Sequence, residues 1–307
     1  MARTNLDVWI PEEKGSDVLL AVQNTSAAEA LCRREPMGSD TKSIPRDGGV
    51  DVAVTPKGTA YTENDNTDDE VTLRARKFTG LLRIADEDIE DIPRDIVAQK
   101  QLAWASTYAR RLDFSVFANT AAEDGLAVPF TSMYRALSQA DASVGYTAGA
   151  NLMQTAGDLS YDDLSDVIGI VENDDYFDQL AVAAHPIFKG LFRGLKDDTG
   201  RPILMEGNGT TPDTLFGYSV RWSAGLKTGT DVRVGPAGSG NPLLAVFNRG
   251  FSVLGIRSGP EFAVVNGFTG ASALTDEALI KARSRRGYVL AHPKAAAMIE
   301  ITAAAAG

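Results

Sequence analysis

Few residues in this sequence have the types and the spacing that catalysis or ion binding requires. Residues 225–230 resemble a phosphate-binding loop, but Leu226 stands where that loop requires glycine. The acidic run 65–70 suggests a calcium loop, in which the sixth residue is glycine and the twelfth is glutamate. Those two positions hold Glu70 and Arg76 here, so a solvated loop is the favoured interpretation.

Histidine and cysteine chemistry is restricted by number and by context. His185 and His292 each follow an apolar run and precede a proline, which is typical of strand ends, and neither lies beside a Cys or Ser motif. Cys32 has no second cysteine in the sequence, which excludes an internal disulfide and a cysteine-based zinc cluster. The stripe with Trp104 and Tyr108 indicates core packing rather than a cofactor site. The sequence therefore predicts no enzyme activity, no cofactor and no bound metal.

Composition and charge narrow the class of protein. Of the 307 residues, 44% are hydrophobic and 23% are charged, which is close to the average for soluble globular proteins. The net charge of −11 argues against nucleic-acid binding, because that binding depends on clustered Lys and Arg that neutralise phosphates. Arginine clusters at 33–34, 110–111 and 283–286 are typical of ion-paired interfaces. The sequence has no long apolar run and no signal peptide, so we expect a soluble protein made inside the cell.

The segment 38–84 alternates between valines and polar residues and is interrupted by glycines and prolines. This pattern predicts a long two-stranded ribbon with strands at Val50–Val54 and Val71–Phe78. An isolated hairpin with so few large apolar side chains is marginally stable in water, so the ribbon needs a surface to lie on. Two alternatives remain open: the ribbon packs on its own domain, or it lies across a neighbouring subunit.

Along the rest of the chain, predicted helices and predicted strands fall in separate groups and do not alternate regularly, which indicates the α+β class. A short helix is predicted at Asp17–Leu31. A long helix follows the acidic run 86–91 and continues without Gly or Pro from Arg94 to Phe117. Ser160 is the expected N-cap of another helix, whose buried face should hold Leu164, Val167, Ile168 and Val171. Further predicted elements are a helix at Ile187–Leu195, strands at Leu180–Ala184, Tyr218–Trp222, Leu243–Phe247, Phe251–Ile256, Phe262–Val265 and Leu279–Leu290, and a closing segment at Ala295–Ile301.

The order of these elements resembles the major capsid proteins of tailed bacteriophages with the Hong Kong 97 fold. The resemblance covers about residues 38–302 and rests on order and spacing, with anchors at Ala60–Glu63, Ile89–Phe117, Leu180–Pro202, Leu215–Gly217 and Arg286–Ile299. It implies an N-terminal arm at 1–37, an extended loop at 38–84, a peripheral domain at 85–157 with a spine helix at about 87–118, an axial domain at 158–274, and a return to the peripheral domain with the C-terminal tail at 275–307.

The resemblance also implies a function. In this family, hexamers and pentamers close into an icosahedral shell around the double-stranded DNA genome of a tailed bacteriophage, and the extended loop lies across the neighbouring subunit. The expected partners are further copies of the chain, a separate scaffolding protein, a portal protein and in some cases a decoration protein, with packaged DNA bound without sequence specificity and no membrane. The expected location is the virion, after assembly in the host cytoplasm. The expected inter-subunit contacts are Val50, Val52, Val54, Tyr61, Glu63, Leu73, Arg74, Arg76, Phe78, Arg110 and Arg111, with the loop tips Gly207–Pro212 and Gly235–Pro242.

Two alternatives to a phage capsid remain open. An encapsulin-type bacterial nanocompartment shell has the same fold and would enclose cargo enzymes instead of DNA. An acidic hydrolase or binding protein would need a catalytic cluster, which the sequence does not show.

Two features of some relatives are not expected here. Some relatives join a lysine of the extended loop to an asparagine of a neighbour, with a glutamate as general base. Residues 64–69 hold no lysine, and Arg283 and Ser284 stand near the place of that glutamate. Lys57 is the one spare candidate, and a solvated turn lysine is the favoured interpretation. Other relatives carry a long helical scaffolding segment before the loop, whereas the ribbon starts near residue 38 here. We therefore expect a non-covalent shell and little proteolytic removal.

Overall fold

The computed structural model describes residues 26–47, 52–61, 69–85, 87, 96–157, 159–195, 214–230, 240–265 and 277–302. Most of the helix predicted at Asp17–Leu31 lies outside these residues, as do the loop tip Gly207–Pro212 and most of the tip Gly235–Pro242. The described part begins with the short helix α1 (Ala27–Leu31) and the strand β1 (Arg33–Pro36) of the predicted arm.

The first sheet has four strands in the order β1-β10-β11-β4. β10 (Ser252–Val265) and β11 (Glu277–Leu290) form a long antiparallel pair, β4 (Arg76–Ala85) is antiparallel to β11, and β1 is parallel to β10. The prediction of two separate strands within β10 is wrong. Shifts of register between Ile256 and Glu261 accommodate the Gly259-Pro260 step, so the strand continues through this irregularity.

The second sheet has six strands in the order β5-β12-β9-β6-β8-β7. The neighbours β6 and β9 are buried along their whole length, as their continuous apolar sequences lead one to expect for strands covered on both faces. The strands of this sheet are β5 (Leu152–Ala156), β6 (Leu180–Ala184), β7 (Thr214–Leu215), β8 (Tyr218–Trp222), β9 (Leu243–Asn248) and β12 (Ala296–Thr302).

Each face of the six-stranded sheet is covered by a different hydrophobic core. Because successive strand residues point to opposite faces, Val182 and Ala184 of β6 face one core and Ala181 and Ala183 face the other. The first core includes α4 (Tyr161–Asn173) and α5 (Ile187–Gly194), and the second includes the end of the long helix and the short helix α3 (Met133–Leu137). The predicted buried face of α4 and its Ser160 cap are confirmed.

The long helix is described as α2 (Ile96–Asp113), followed by a π-helical turn at Phe114–Ala118. The prediction of a regular helix to Phe117 is therefore corrected in its last turn, where the N–H of Asn119 donates to the carbonyl of Phe114 at 3.1 Å. All five residues of the turn are buried, and the wider turn directs consecutive side chains into the core instead of onto one helical face.

The ribbon differs from its prediction in the positions and lengths of its strands. β2 (Thr41–Arg46) pairs with β3 (Asp69–Arg74), so the predicted strand at Val50–Val54 is wrong for its described residues, which lie outside any strand. The predicted second strand is divided at Ala75, whose N–H donates to the backbone carbonyl of Asp40 at 2.7 Å. After this point the chain leaves the ribbon and pairs with β11 as β4.

The sheets cross the predicted domain boundaries at two places. β10 falls within the predicted axial range 158–274, but it pairs with β11 and β1 in the four-stranded sheet. β12 falls within the range 275–307, but it lies between β5 and β9 in the six-stranded sheet. The division into peripheral and axial domains remains a prediction, and sheet pairing does not follow its limits.

Candidate assembly surfaces

A buried carboxylate fixes the arm to the end of the long helix. The Ser26 hydroxyl donates to Asp113 Oδ1 at 2.6 Å, and the N–H groups of Ala27 and Ala28 each donate to the same carboxylate at 2.9 Å. Burial raises the pKa of the Asp113 carboxyl, although these donors and the Ser223 hydroxyl favour its charged form. The Asp113 side chain therefore holds the start of α1 in place.

Further contacts hold the rest of α1 against the four-stranded sheet. Glu29 accepts from the buried Arg286 guanidinium at 2.8 Å and from the Tyr108 hydroxyl at 3.3 Å. Arg249 donates to the last two carbonyls of α1, each at 2.9 Å. Cys32 directly follows α1 and lies 3.2 Å from the Ser252 hydroxyl, and burial raises the pKa of its thiol to about 12. A buried, protonated thiol is poorly placed to form a disulfide with another subunit.

The ribbon is held at its base by Arg46, whose side chain is almost completely buried. Its guanidinium forms an ion pair with Asp69 on the paired strand, and it donates to Asp141 at 2.8 Å and to the carbonyl of Ala291 at 2.7 Å. The Arg46 guanidinium lowers the pKa of the Asp69 carboxyl, which keeps the pair charged at neutral pH. Arg46 therefore connects both ribbon strands to the body of the chain.

Several predicted contact residues are used within the chain. Leu73 is fully buried against Met37 and Val253, so the prediction that its side chain contacts a neighbour is wrong. Arg76 pairs with Glu123 at 2.9 Å, and Arg74 lies 3.9 Å from the same carboxylate. The sequence analysis assigned residues 38–84, which include β3 and nearly all of β4, to the ribbon, whereas β4 is part of a four-stranded sheet.

The segment 52–61 lies between β2 and β3 in the chain, and all of its residues except Thr55 are exposed. Val52, Val54 and Tyr61 are 85%, 98% and 92% exposed, which are unusual values for apolar side chains. Lys57 is also exposed, in a turn with Gly58. Two other predicted contacts, Val50 and Glu63, lie outside the described residues.

A groove lies between β4, α2 and the loop at 126–129, and we call it the Trp104 groove. It has a volume of about 460 Å³, and its lining includes Lys77, Phe78, Trp104, Arg111 and Leu126. Phe78, a predicted contact, packs edge-on against Tyr108 at 5.7 Å and forms part of the groove wall. Arg110 lies next to Arg111 on α2, and the Nε atoms of both are buried without a hydrogen-bond partner among the described residues.

A second, smaller cavity of about 160 Å³ lies along β4 and shares Trp104 with this groove as a lining residue. Leu81, Leu82 and Phe262 line the smaller cavity and remain partly exposed. Gly80 permits the close approach of Trp104, because a Cβ atom there would lie 2.4 Å from the indole Nε1. Sequence reasoning placed Trp104 in the core and missed this surface. The signal available in the sequence was the pair of large apolar residues Leu81-Leu82 directly after Gly80.

Each of the two histidines makes contacts that support the fold: His185 accepts a hydrogen bond at a helix start, and His292 packs against aromatic rings. His185 Nδ1 accepts from the N–H of Ile187 at 3.2 Å, at the start of α5, and burial together with Lys227 lowers its pKa to about 4. His292 packs against Tyr176 and Phe251, and burial lowers its pKa as well. Within the described residues, no three His, Cys, Asp or Glu side chains are grouped as metal ligands would be. None of the described helices is long and apolar enough to cross a membrane.

Comparison with known proteins gives a family and a fold. The family model described as the phage capsid family matches residues 7–301. The chain belongs to the phage capsid family. A comparison with the sequences of curated proteins gives no match.

Solved structures from phages and from a GTA particle share the architecture over almost the whole chain. A Mycobacterium phage Ogopogo chain has a TM-score of 0.72 at 14% identity, with 98% of this chain and 100% of that chain covered. A chain of Microbacterium phage Oxtober96 has a TM-score of 0.69 at 17% identity, with 98% and 99% covered. The capsid of a native GTA particle has a TM-score of 0.71 at 16% identity, with 96% of each chain covered.

The family match and the fold confirm the prediction of a major capsid protein with a mixed α+β, Hong Kong 97-like architecture. They place this capsid protein in the virion, as a structural component that associates with its own copies. The matched family is that of phage capsids, which favours the capsid over the encapsulin alternative.

Proposed function

We propose that this capsid protein assembles through hexamers and pentamers into an icosahedral shell around the double-stranded DNA genome of a tailed phage, in the host cytoplasm. One observation supports this proposal most: the ribbon is anchored at its base by Arg46, and its segment 52–61 exposes apolar side chains. Apolar side chains that a subunit leaves this exposed are typical of surfaces that another protein covers. A ribbon that reaches a neighbour gives the repeated heterologous contact that closed rings need.

The proposed shell is a mechanical structure without enzyme activity. Its partners would be a separate scaffolding protein, a portal protein and, in some cases, a decoration protein. The acidic composition supports DNA that is enclosed without sequence-specific binding, because a net charge of −11 does not attract phosphates.

Deletion of residues 48–67, with a short Gly-Ser linker in their place, tests the proposal. This deletion keeps Arg46, Asp69 and the paired strands, so the subunit should fold with a circular dichroism spectrum and a melting temperature close to those of the wild type. Electron microscopy should then show no closed shells. Lys57→Ala is the matched control within the same segment and should assemble normally. Closed shells of normal size from the deletion variant would overturn the proposal.

A further inference from the structure

A histidine lies directly beside the anchor of the ribbon. The Nδ1 atom of His292 is buried and has no hydrogen-bond partner within the described part of the chain. Its ring packs against Phe251 at 5.2 Å and against Tyr176 at 5.9 Å between ring centroids. The carbonyl of the preceding residue, Ala291, accepts from the Arg46 guanidinium at 2.7 Å. Because that carbonyl belongs to the peptide unit that joins Ala291 to His292, the ring and the ribbon anchor are mechanically coupled.

The charged groups around the ring disfavour its protonation. Burial lowers the pKa of His292, and the cations Arg46 on β2 and Lys294 add to this effect. Asp69 on β3 and Asp141 oppose it, but both carboxylates already accept hydrogen bonds from Arg46. The other titratable side chains that line the same space are Arg33, Asp47 and Tyr176.

Protonation changes what the ring needs from its surroundings. In neutral imidazole one ring nitrogen is an acceptor, whereas in imidazolium both nitrogens are donors. A buried, charged donor without an acceptor is costly, so a protonated His292 is poorly tolerated between the two aromatic rings. A cavity of about 700 Å³ lies next to the ring, between the ribbon base and the body of the chain, and Ile44 and Pro45 of β2 line it. Rotation of the ring toward this cavity brings Nδ1 to water and pulls the Ala291 carbonyl away from Arg46.

We propose that His292 is a pH-sensitive latch for the ribbon: the neutral ring keeps the ribbon base closed, and protonation of the ring separates Arg46 from the Ala291 carbonyl and opens the base. The latch goes beyond the proposed function, because it acts in the single folded subunit before any assembly.

The direction of the pH effect follows from proton binding. In the open base His292 has the ordinary histidine pKa of 6.5, and in the closed base its pKa is lower. The open state therefore binds the proton more readily, and the closed state loses its advantage as the pH falls below about 6.5. One proton can raise the open fraction by at most about tenfold between about pH 7.5 and about pH 5.5. Asp69 stays ionised in this range, because Arg46 lowers the pKa of its carboxyl.

Hydrogen exchange of unassembled subunits tests the latch. Protection factors, which correct for the intrinsic effect of pH on exchange, are measured for the amides of β2 and β3 at about pH 7.5 and about pH 5.5. In the wild type they should fall by about three- to tenfold at the lower pH. His292→Phe keeps an aromatic ring between Phe251 and Tyr176 and cannot titrate, so its ribbon protection should be equal at the two pH values. His185→Gln removes the other histidine of the sequence and is the matched control, which should respond as the wild type does.

The outcomes of the exchange experiment are distinct. Unchanged ribbon protection in the wild type, or an equal fall in His292→Phe, would overturn the latch. A fall that disappears in His185→Gln would also overturn it, because the response would then belong to the other histidine. His292→Gln is a second variant that does not titrate, in case the phenylalanine variant does not fold. In His185→Gln the remaining histidine can be followed by proton NMR, and titration of His292 above about 6.5 would contradict the proposal.

Shell assembly gives a second measurement, which rests on the proposed function. The protein concentration needed for assembly should rise between about pH 7.5 and about pH 5.5 in the wild type and change less in His292→Phe. An equal rise in both proteins would contradict the latch. Absence of shells from the wild type at both pH values would contradict the proposed function, and the exchange measurement would still decide the latch.

Discussion

Replacing Asp113 with alanine should release the arm and destabilise the subunit. The substitution removes the carboxylate that accepts three hydrogen bonds from the arm, donated by the Ser26 hydroxyl and the N–H groups of Ala27 and Ala28. All three residues are buried, so water reaches these groups poorly. A buried donor without a partner costs about 1–3 kcal/mol, and the lower end of that range for three groups gives about 3 kcal/mol. Relief of the buried carboxylate's desolvation offsets part of the cost, so we expect a loss of about 2–3 kcal/mol.

The assay is urea unfolding of unassembled subunits, followed by circular dichroism, with hydrogen exchange to locate the change. Asp113→Ala should lower the free energy of unfolding and speed amide exchange in α1 and β1 before the six-stranded sheet responds. Asp162→Ala, on the exposed first turn of α4, is the matched control and should cost less than about 1 kcal/mol. Equal unfolding free energies for the two variants would refute the role assigned to Asp113.

The pH dependence of the Asp113 contribution has a definite sign. Burial raises the pKa of the folded carboxyl above its unfolded value, so the folded state retains its proton to higher pH. The stability associated with this group is therefore present at low pH and lost as the pH rises through the folded-state pKa. Asp113→Asn does not titrate, so this component should be absent from its pH profile. Acid alone should not release the arm by protonating Asp113.

Three further predictions follow from other contacts. Arg46→Met should leave Asp69 and Asp141 without their guanidinium and make the ribbon base easier to cleave in limited proteolysis, whereas unchanged cleavage would contradict its anchoring role. His185→Asn should keep a side-chain acceptor for the Ile187 N–H. The wild type should lose stability as the pH falls from about 6.5 to about 4, because His185 binds a proton more readily in the unfolded state, and the variant should not show this loss. An identical pH profile for the two proteins would contradict the neutral state of His185. Boiled, reduced particles should run as one band near the chain mass of 32.7 kDa, and a ladder of multiples would show a covalent shell.

Elements with a clear local pattern could be predicted from the sequence. The capping box at Ser160 and Asp163 and the apolar face of α4 are local signals, and both are present. The continuous apolar run of β6 identified a buried strand, because a strand covered on both faces has no polar side. The strand β9 was also predicted, and its burial is a finding of the structure. The order of these elements was enough for the capsid resemblance, which the family match confirms.

The ribbon and the groove could not be predicted, because both depend on contacts between distant residues. The register of β2 with β3 is fixed by Arg46, which reaches Asp141 and Ala291 far along the chain. The alternating valines at 50–54 gave a local signal for a strand with no partner to pair with in the described chain. Trp104 fits a core stripe by its spacing on α2. Its place in the groove wall depends on close packing against Gly80 of the neighbouring strand, which no helical pattern reports.

Cryo-electron microscopy of the purified protein over a range of concentrations tests the central claim most directly. The account predicts six-membered and five-membered rings that close into icosahedral shells as the concentration rises, with the segment 52–61 of each subunit lying on its neighbour. A sample that stays a uniform monomer or dimer at every concentration would contradict it.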